Sequence, residues 1–246
     1  MKEKIHTDGL VIKENHIGES DRLITVLTRN EGVVHSFATG ARKITGKSMS
    51  ATQLLCFSDF VFTRKKDTYR VTEAEAVEVF FDLRNDIEKL SLAQYFCELA
   101  GALAPVEEPA EEYLRLILNS LKFLADNRLP PAQIKAVFEL YILSLSGYMP
   151  DLSECPECGK EKNLCFDMSE GQVFCQEHAS VGAIQLSDSV LSAMRFITMS
   201  EFSKIFFFSL PDEALNDLEN VCENYLKIRL ERTFKTLDFY NSVKLI

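Results

Sequence analysis

Cys155-Pro156-Glu157-Cys158-Gly159, followed sixteen residues later by Cys175-Gln176-Glu177-His178, sets the tightest local condition on this 246-residue chain. Two ligand pairs of the form C-x-x-C and C-x-x-H, joined by a short hydrophilic loop, have the spacing of a tetrahedral zinc knuckle. Each x-x turn aims two donors at one point, and Gly159 supplies the backbone freedom such a turn needs. Three thiolates and an imidazole leave no open coordination position, so a structural Zn²⁺ is expected rather than a catalytic one. Cys165, between the two pairs, is a competing fourth ligand, but only if the loop bends to deliver it. His178 repeats the spacing of the first pair and is preferred. A disulfide framework fits poorly: seven cysteines is an odd number, no secretory signal precedes them, and Cys56, Cys97 and Cys222 sit alone in apolar runs. A reducing cytoplasmic setting is expected.

Upstream of residue 80 the texture is that of β-strands. Leu10-Val11-Ile12 and Leu23 to Thr28 are apolar and β-branched, and Arg29-Asn30-Glu31-Gly32 reads as a turn into Val33 to Ala38. After a polar loop from Thr39 to Thr52, Leu54 to Thr63 reads as a fourth strand. Its Phe57, Phe60 and Phe62 do not share one face, which predicts a bulge. Lys65-Lys66-Asp67-Thr68 then turns into a fifth strand from Tyr69. Five short strands in about seventy residues suggest a small closed barrel, for which an oligonucleotide-binding (OB) fold is the natural candidate.

Near Asp82 the apolar period changes from two to 3.6. Helices are expected up to Leu103, from near Pro109 to Leu124, from Pro130-Pro131 to Gly147, after a Ser187 cap, and from Pro211 past Arg229. Ile205 to Phe208 is expected to be core. The fold class is therefore α+β: an OB-fold barrel at 1–80, then a helical domain at 81–246 with a zinc-binding insertion at 153–180, a segment too polar to build a core alone. No apolar run is long enough to span a bilayer, so no membrane role is expected.

A formal net charge of −10 argues against nucleic acid for the chain taken whole, but its distribution is uneven. Residues 1–80 hold 12 Lys/Arg against 11 Asp/Glu, and the remainder 15 against 26. Between 40 and 70, Arg42, Lys43, Lys47, Arg64, Lys65, Lys66 and Arg70 face only Asp59 and Asp67. In an OB fold such loops track a phosphate backbone, with Phe37, Phe62 or Tyr69 available for stacking unless they are core. No catalytic residues emerge. Gly46-Lys47-Ser48 ends like a P-loop, but Ala41 stands where that loop requires glycine. The pairs Glu107-Glu108 and Glu111-Glu112 are explained by helix starts.

Ile17-Gly18-Glu19-Ser20-Asp21-Arg22-Leu23, Val26-Leu27-Thr28, Gly32, Gly40-Ala41-Arg42-Lys43 and Lys47-Ser48, in that order, resemble the bacterial RecO family of recombination mediators over essentially the whole chain. That family joins an OB domain to a helical domain with a C-x-x-C…C-x-x-C knuckle; here His178 stands at the fourth ligand position. The resemblance implies a non-enzymatic protein that binds single- and double-stranded DNA and anneals complementary strands. It also implies work with RecR and single-stranded DNA-binding protein to load RecA, in the cytoplasm at the nucleoid. The family's basic surface carries over to Arg42, Lys43 and Lys47; charge adds Arg64, Lys65 and Lys66. Arg22 matches the family motif but equally suits pairing with Glu19 or Asp21. The rival readings are a zinc-containing enzyme that processes nucleic acid and a scaffold whose barrel never meets DNA.

Overall fold

A computed structural model describes residues 3–41, 49–66 and 68–244. The β-texture resolves into β1 (Glu3–Ile17), β2 (Asp21–Thr28), β3 (Gly32–Ala38), β4 (Cys56–Lys65) and β5 (Thr68–Val79). They close a barrel in the order β1-β2-β3-β5-β4. Closure depends on a short parallel pairing of β3 with β5, Ser36 beside Tyr69 and Phe37 beside Arg70. β1, longer than its apolar centre suggested, serves both neighbours, with Gly9 opposite Thr28 of β2 and opposite Ser58 of β4. An irregularity between Val11 and Lys13 bends it around the barrel.

Inside lie Val11, Ile24, Val26, Val34, Phe60, Phe62 and Tyr69, with Phe60 stacked on Phe62 at 5.2 Å. The bulge expected in β4 falls instead on its partner β5, since burial alternates regularly along β4. Its pairing with β5 slips between Phe57 and Ser58 and between Val61 and Phe62, so that Thr72 and Val77 of β5 have no partner in the register.

A 3-10 turn at Phe81–Asn85 leads into α1 (Ile87–Leu103), whose first turn Asp86 caps by accepting from the Lys89 N–H at 3.1 Å. The link to α2 (Glu111–Ala125) runs along the β2–β3 hairpin. Pro105 accepts from Val33 N–H at 2.9 Å, Glu31 from Glu107 N–H at 3.0 Å, and Arg29 from Ala110 N–H at 2.9 Å. Gly32 is fixed by this approach. It has φ +62, and a β-carbon there would stand 2.0 Å from the Pro105 carbonyl oxygen.

Compactness divides the chain into two units, 1–126 with 234–246, and 127–233. The first therefore includes α6 (Lys235–Lys244), a helix beyond those expected. Phe234 meets Tyr95 of α1 at 6.0 Å between ring centroids, and Glu98 of α1 accepts from the Thr236 N–H. Glu231, with φ +46, ends the preceding helix just past Arg229, as expected.

The second unit contains α3 (Pro131–Leu145), α4 (Asp188–Met199) and α5 (Asp212–Leu230). Ser187 caps α4 as expected, accepting from Val190 N–H at 3.3 Å. Ile205 and Phe206 are core, but Phe207 is exposed. Where α3 meets α5, the fully buried Lys135 ammonium lies 3.0 Å from Glu139 and 2.8 Å from Glu223, with Glu219 at 3.9 Å.

The segment between α3 and α4 is more than a polar loop. It forms β6 (Leu164–Asp167), β7 (Gln172–Cys175) and β8 (Ile184–Gln185), in the order β7-β6-β8. Leu164, Phe166 and Val173 are completely buried, and Phe166 packs on Tyr225 of α5 at 5.1 Å. The insertion thus contributes apolar surface of its own.

Candidate metal centre and nucleic-acid interface

Two turns of the same design build the metal centre in the second unit. In one, the Cys155 carbonyl accepts from the N–H groups of Cys158 at 3.3 Å and Gly159 at 2.8 Å. In the other, the Cys175 carbonyl at the end of β7 accepts from His178 at 3.0 Å and Ala179 at 2.9 Å. Only the first turn places its last residue, Gly159, at positive φ (+70). Lys160 joins the turns through Glu177 at 3.1 Å, and Arg195 of α4 donates to the carbonyls of Leu152 and Ser153, both at 2.6 Å.

The ligand atoms of Cys155, Cys158, Cys175 and His178 all lie within 4.8 Å of one another. Cys158 and Cys175 sulfurs are 3.6 Å apart, and His178 Nδ1 is 3.5 Å from Cys155 Sγ and 3.3 Å from Cys175 Sγ. Bonds of about 2.3 Å to sulfur and 2.0 Å to nitrogen, set tetrahedrally, require edges of about 3.5–3.8 Å. The donor set fits a divalent metal. Burial opposes ionisation of Cys155, but backbone N–H groups of Cys175 and Glu157, with His178, outweigh it and bring the thiol down to about 6. Cys165 is not part of the cluster: it sits in β6 with its thiol directed to Gln185 Oε1 at 3.3 Å. The choice between His178 and Cys165 is made by β6, whose pairing with β7 and β8 holds Cys165 away.

The barrel belongs to the first unit. Arg42, Lys43 and Lys47, with the Gly46-Lys47-Ser48 run, lie outside the described residues, as does Asp67 of the expected turn. Lys65 and Lys66 are exposed at the β4–β5 turn. Arg64 beside them is committed: it pairs with Glu107, donates to the Lys66 carbonyl at 3.1 Å, and lies 5.2 Å from the Tyr69 ring centroid. Arg22 departs further from an exposed DNA contact. It is 5 % exposed and donates to the Met49 carbonyl at 2.7 Å and Thr52 Oγ1 at 2.9 Å. Its geometry is that of a structural anchor for the returning loop, and the expected pairing with Glu19 or Asp21 is replaced by these bonds.

Of the three stacking candidates, Phe62 and Tyr69 are core, whereas Phe37 is 39 % exposed. The reading of Glu107 as a helix-start acid is also corrected. Glu111 and Glu112 do occupy the first turn of α2, but Glu107 stands before it at φ +60 and neutralises Arg64. Glu111 pairs with Arg29 at 2.8 Å, so the α1–α2 link delivers two carboxylates to barrel arginines. Contacts over 43 and 82 residues of sequence leave no local signal.

Comparison with known proteins agrees with this architecture. Residues 1–80 match the family model described as Recombination protein O N terminal, and residues 84–238 the one described as Recombination protein O C terminal. The DNA repair protein RecO of Acetivibrio thermocellus is 35 % identical over 243 residues, covering 97 % of each chain. That of Caldicellulosiruptor saccharolyticus is 26 % identical over 242 residues, covering 98 % of this chain and 99 % of its own. That of Dehalococcoides mccartyi is 29 % identical over 244 residues. With a closed five-stranded barrel, a helical part bearing a Cys₃His cluster, and both family models matched in order, the chain belongs to the RecO family of DNA repair proteins.

Proposed function

We propose that this repair protein is a non-enzymatic mediator whose barrel binds single- and double-stranded DNA through its phosphates and brings complementary strands together. As in the family it belongs to, it acts with RecR to help load RecA onto strands coated by single-stranded DNA-binding protein. The observation that carries this reading is the exposed pair Lys65 and Lys66 at the β4–β5 turn, without a carboxylate partner among the described residues. The loop cations Arg42, Lys43 and Lys47 belong to the same proposed surface, and Arg64 reaches it only by exchanging Glu107 for phosphate. Zn²⁺ is the proposed occupant of the Cys155, Cys158, Cys175 and His178 cluster, where it would cross-link the two turns.

The test is a DNA titration over a range of salt. Neutralising several phosphates makes affinity fall steeply with salt, with a slope of about −0.7 per contact on single strands. Changing Arg42, Lys43 and Lys47 together to Ala is expected to lower affinity and flatten that slope by about 2. An unchanged slope would remove the loop from the surface. Strand annealing measured alongside separates a mediator from a scaffold that never touches DNA.

A further inference from the structure

The register of the barrel brings together a row of side chains scattered over 66 residues of sequence. Phe37 of β3 is beside Arg70 of β5, Arg70 opposite Thr63 of β4, and Thr63 opposite Lys4 of β1. Side chains opposite one another across strands share a face, and here it is the outer one. Ser36, Phe62 and Tyr69, their neighbours in sequence, point inward and are buried. One step nearer the turn, Lys65 stands opposite Thr68 on the same outer face. Thr63, Lys65, Thr68 and Arg70 line a hollow of about 350 Å³.

Lys4, Lys65 and Arg70 are exposed, and no carboxylate among the described residues pairs with them. Two rows further along the same face the charge reverses: Asp8, Asp59 and Glu75 are aligned across β1, β4 and β5, and Glu73 lies opposite Val61. Like charges opposite one another cost stability, and among the described residues only Asp8 is relieved, by Arg29 at 2.6 Å. The carboxylate row repels any polyanion that strays toward the base of the hairpin.

We propose that this row, Phe37–Arg70–Thr63–Lys4 flanked by Lys65 and Thr68, is a track for one strand of single-stranded nucleic acid running across β3, β5, β4 and β1. The proposal rests on the DNA-binding reading above and extends that surface from Lys65 to Phe37, Arg70, Thr63 and Lys4, residues outside the 42–47 loop. Lys4, Lys65 and Arg70 hold phosphates, and the two threonine hydroxyls donate to phosphate oxygens. Phe37, an exposed aromatic adjoining a cation, stacks a base. Three inter-strand gaps give the track a length of about 14 Å. The Asp59–Glu75 row, about 13 Å along the strands from the cations, fixes the direction by closing the face below.

The experiment uses the full-length protein with a fluorescein-labelled oligo-dT and a matching abasic oligomer, titrated at several salt concentrations. Combined K4Q, K65Q and R70Q is expected to weaken both ligands and reduce the salt slope by about 2. Phe37→Leu is expected to weaken oligo-dT about 5- to 150-fold and leave the abasic oligomer nearly unaffected. Glu75→Gln removes a repelling charge and is expected to strengthen binding, an outcome that misfolding cannot imitate. If the triple variant keeps the wild-type slope while the Arg42, Lys43 and Lys47 variant loses it, the track is wrong and DNA binding by the loop stands. If Phe37→Leu weakens both oligomers alike, base stacking there is wrong. Wild-type protein that binds neither oligomer overturns the track and the DNA-binding reading together.

Discussion

At the scale of single residues, Arg22 and Lys135 show how position within the packing decides the role of a charge. Removing Arg22 takes away the buried donor to the Met49 carbonyl and the Thr52 hydroxyl, so Arg22→Ala should destabilise the protein by about 2–3 kcal/mol in denaturant unfolding. DNA affinity measured on the folded fraction should change little. Lys135 is more demanding because Glu139 beside it is fully buried. Burial works against a charged Glu223, but Lys135 and then Lys227 outweigh it and lower its carboxyl to about 2 from 4.5. Glu223 therefore contributes stability that is present above about pH 4.5 and is lost as the pH falls toward 2. Lys135→Met should cost about 3–5 kcal/mol and diminish that acid-side dependence, because Glu223 then loses the first of the two ammonium groups that hold its carboxyl down. Urea midpoints followed from pH 7 to pH 3 measure it. Neither role was legible in the sequence: Arg22 lies in a motif that suits surface and interior alike, and the Lys135 partners on α5 are remote in the chain.

Among the elements, those with a strong period or a distinctive terminus were legible before the structure. Pro131 opens α3, Ser187 caps α4, and Asp212 and Glu213 fill the first turn of α5. The four residues of the Cys₃His cluster were legible because x-x spacing is local geometry. What escaped was short: β6, β7 and β8 have four, four and two residues, and α6 buries only Leu237 and Tyr240. Their existence depends on surfaces elsewhere, Tyr225 for Phe166 and α1 for α6. This gives a metal held by the cluster a definite task. Cys158→Ser, or treatment of the protein with a chelator, should release the 151–186 segment first, raising its amide exchange before the rest of the second unit opens. Metal analysis of the untreated protein should find about one zinc per chain. Equal exchange with and without metal would mean that β6 and β7 hold the turns unaided.

For the whole molecule, the proposed DNA contacts and the metal centre fall in different compact units. Chelation should accordingly lower the thermal stability of the second unit while DNA affinity and its salt slope remain near those of untreated protein. The order of the units along the chain adds a consequence for synthesis. Phe234 and α6 complete the packing around Tyr95 and Glu98, yet a ribosome delivers them only after every residue of the second unit. A nascent chain can close its barrel early, but the α1 surface stays bare until translation passes residue 244. Stalled or prematurely terminated chains would therefore offer a greasy helix face to chaperones and proteases, however well their barrel had formed.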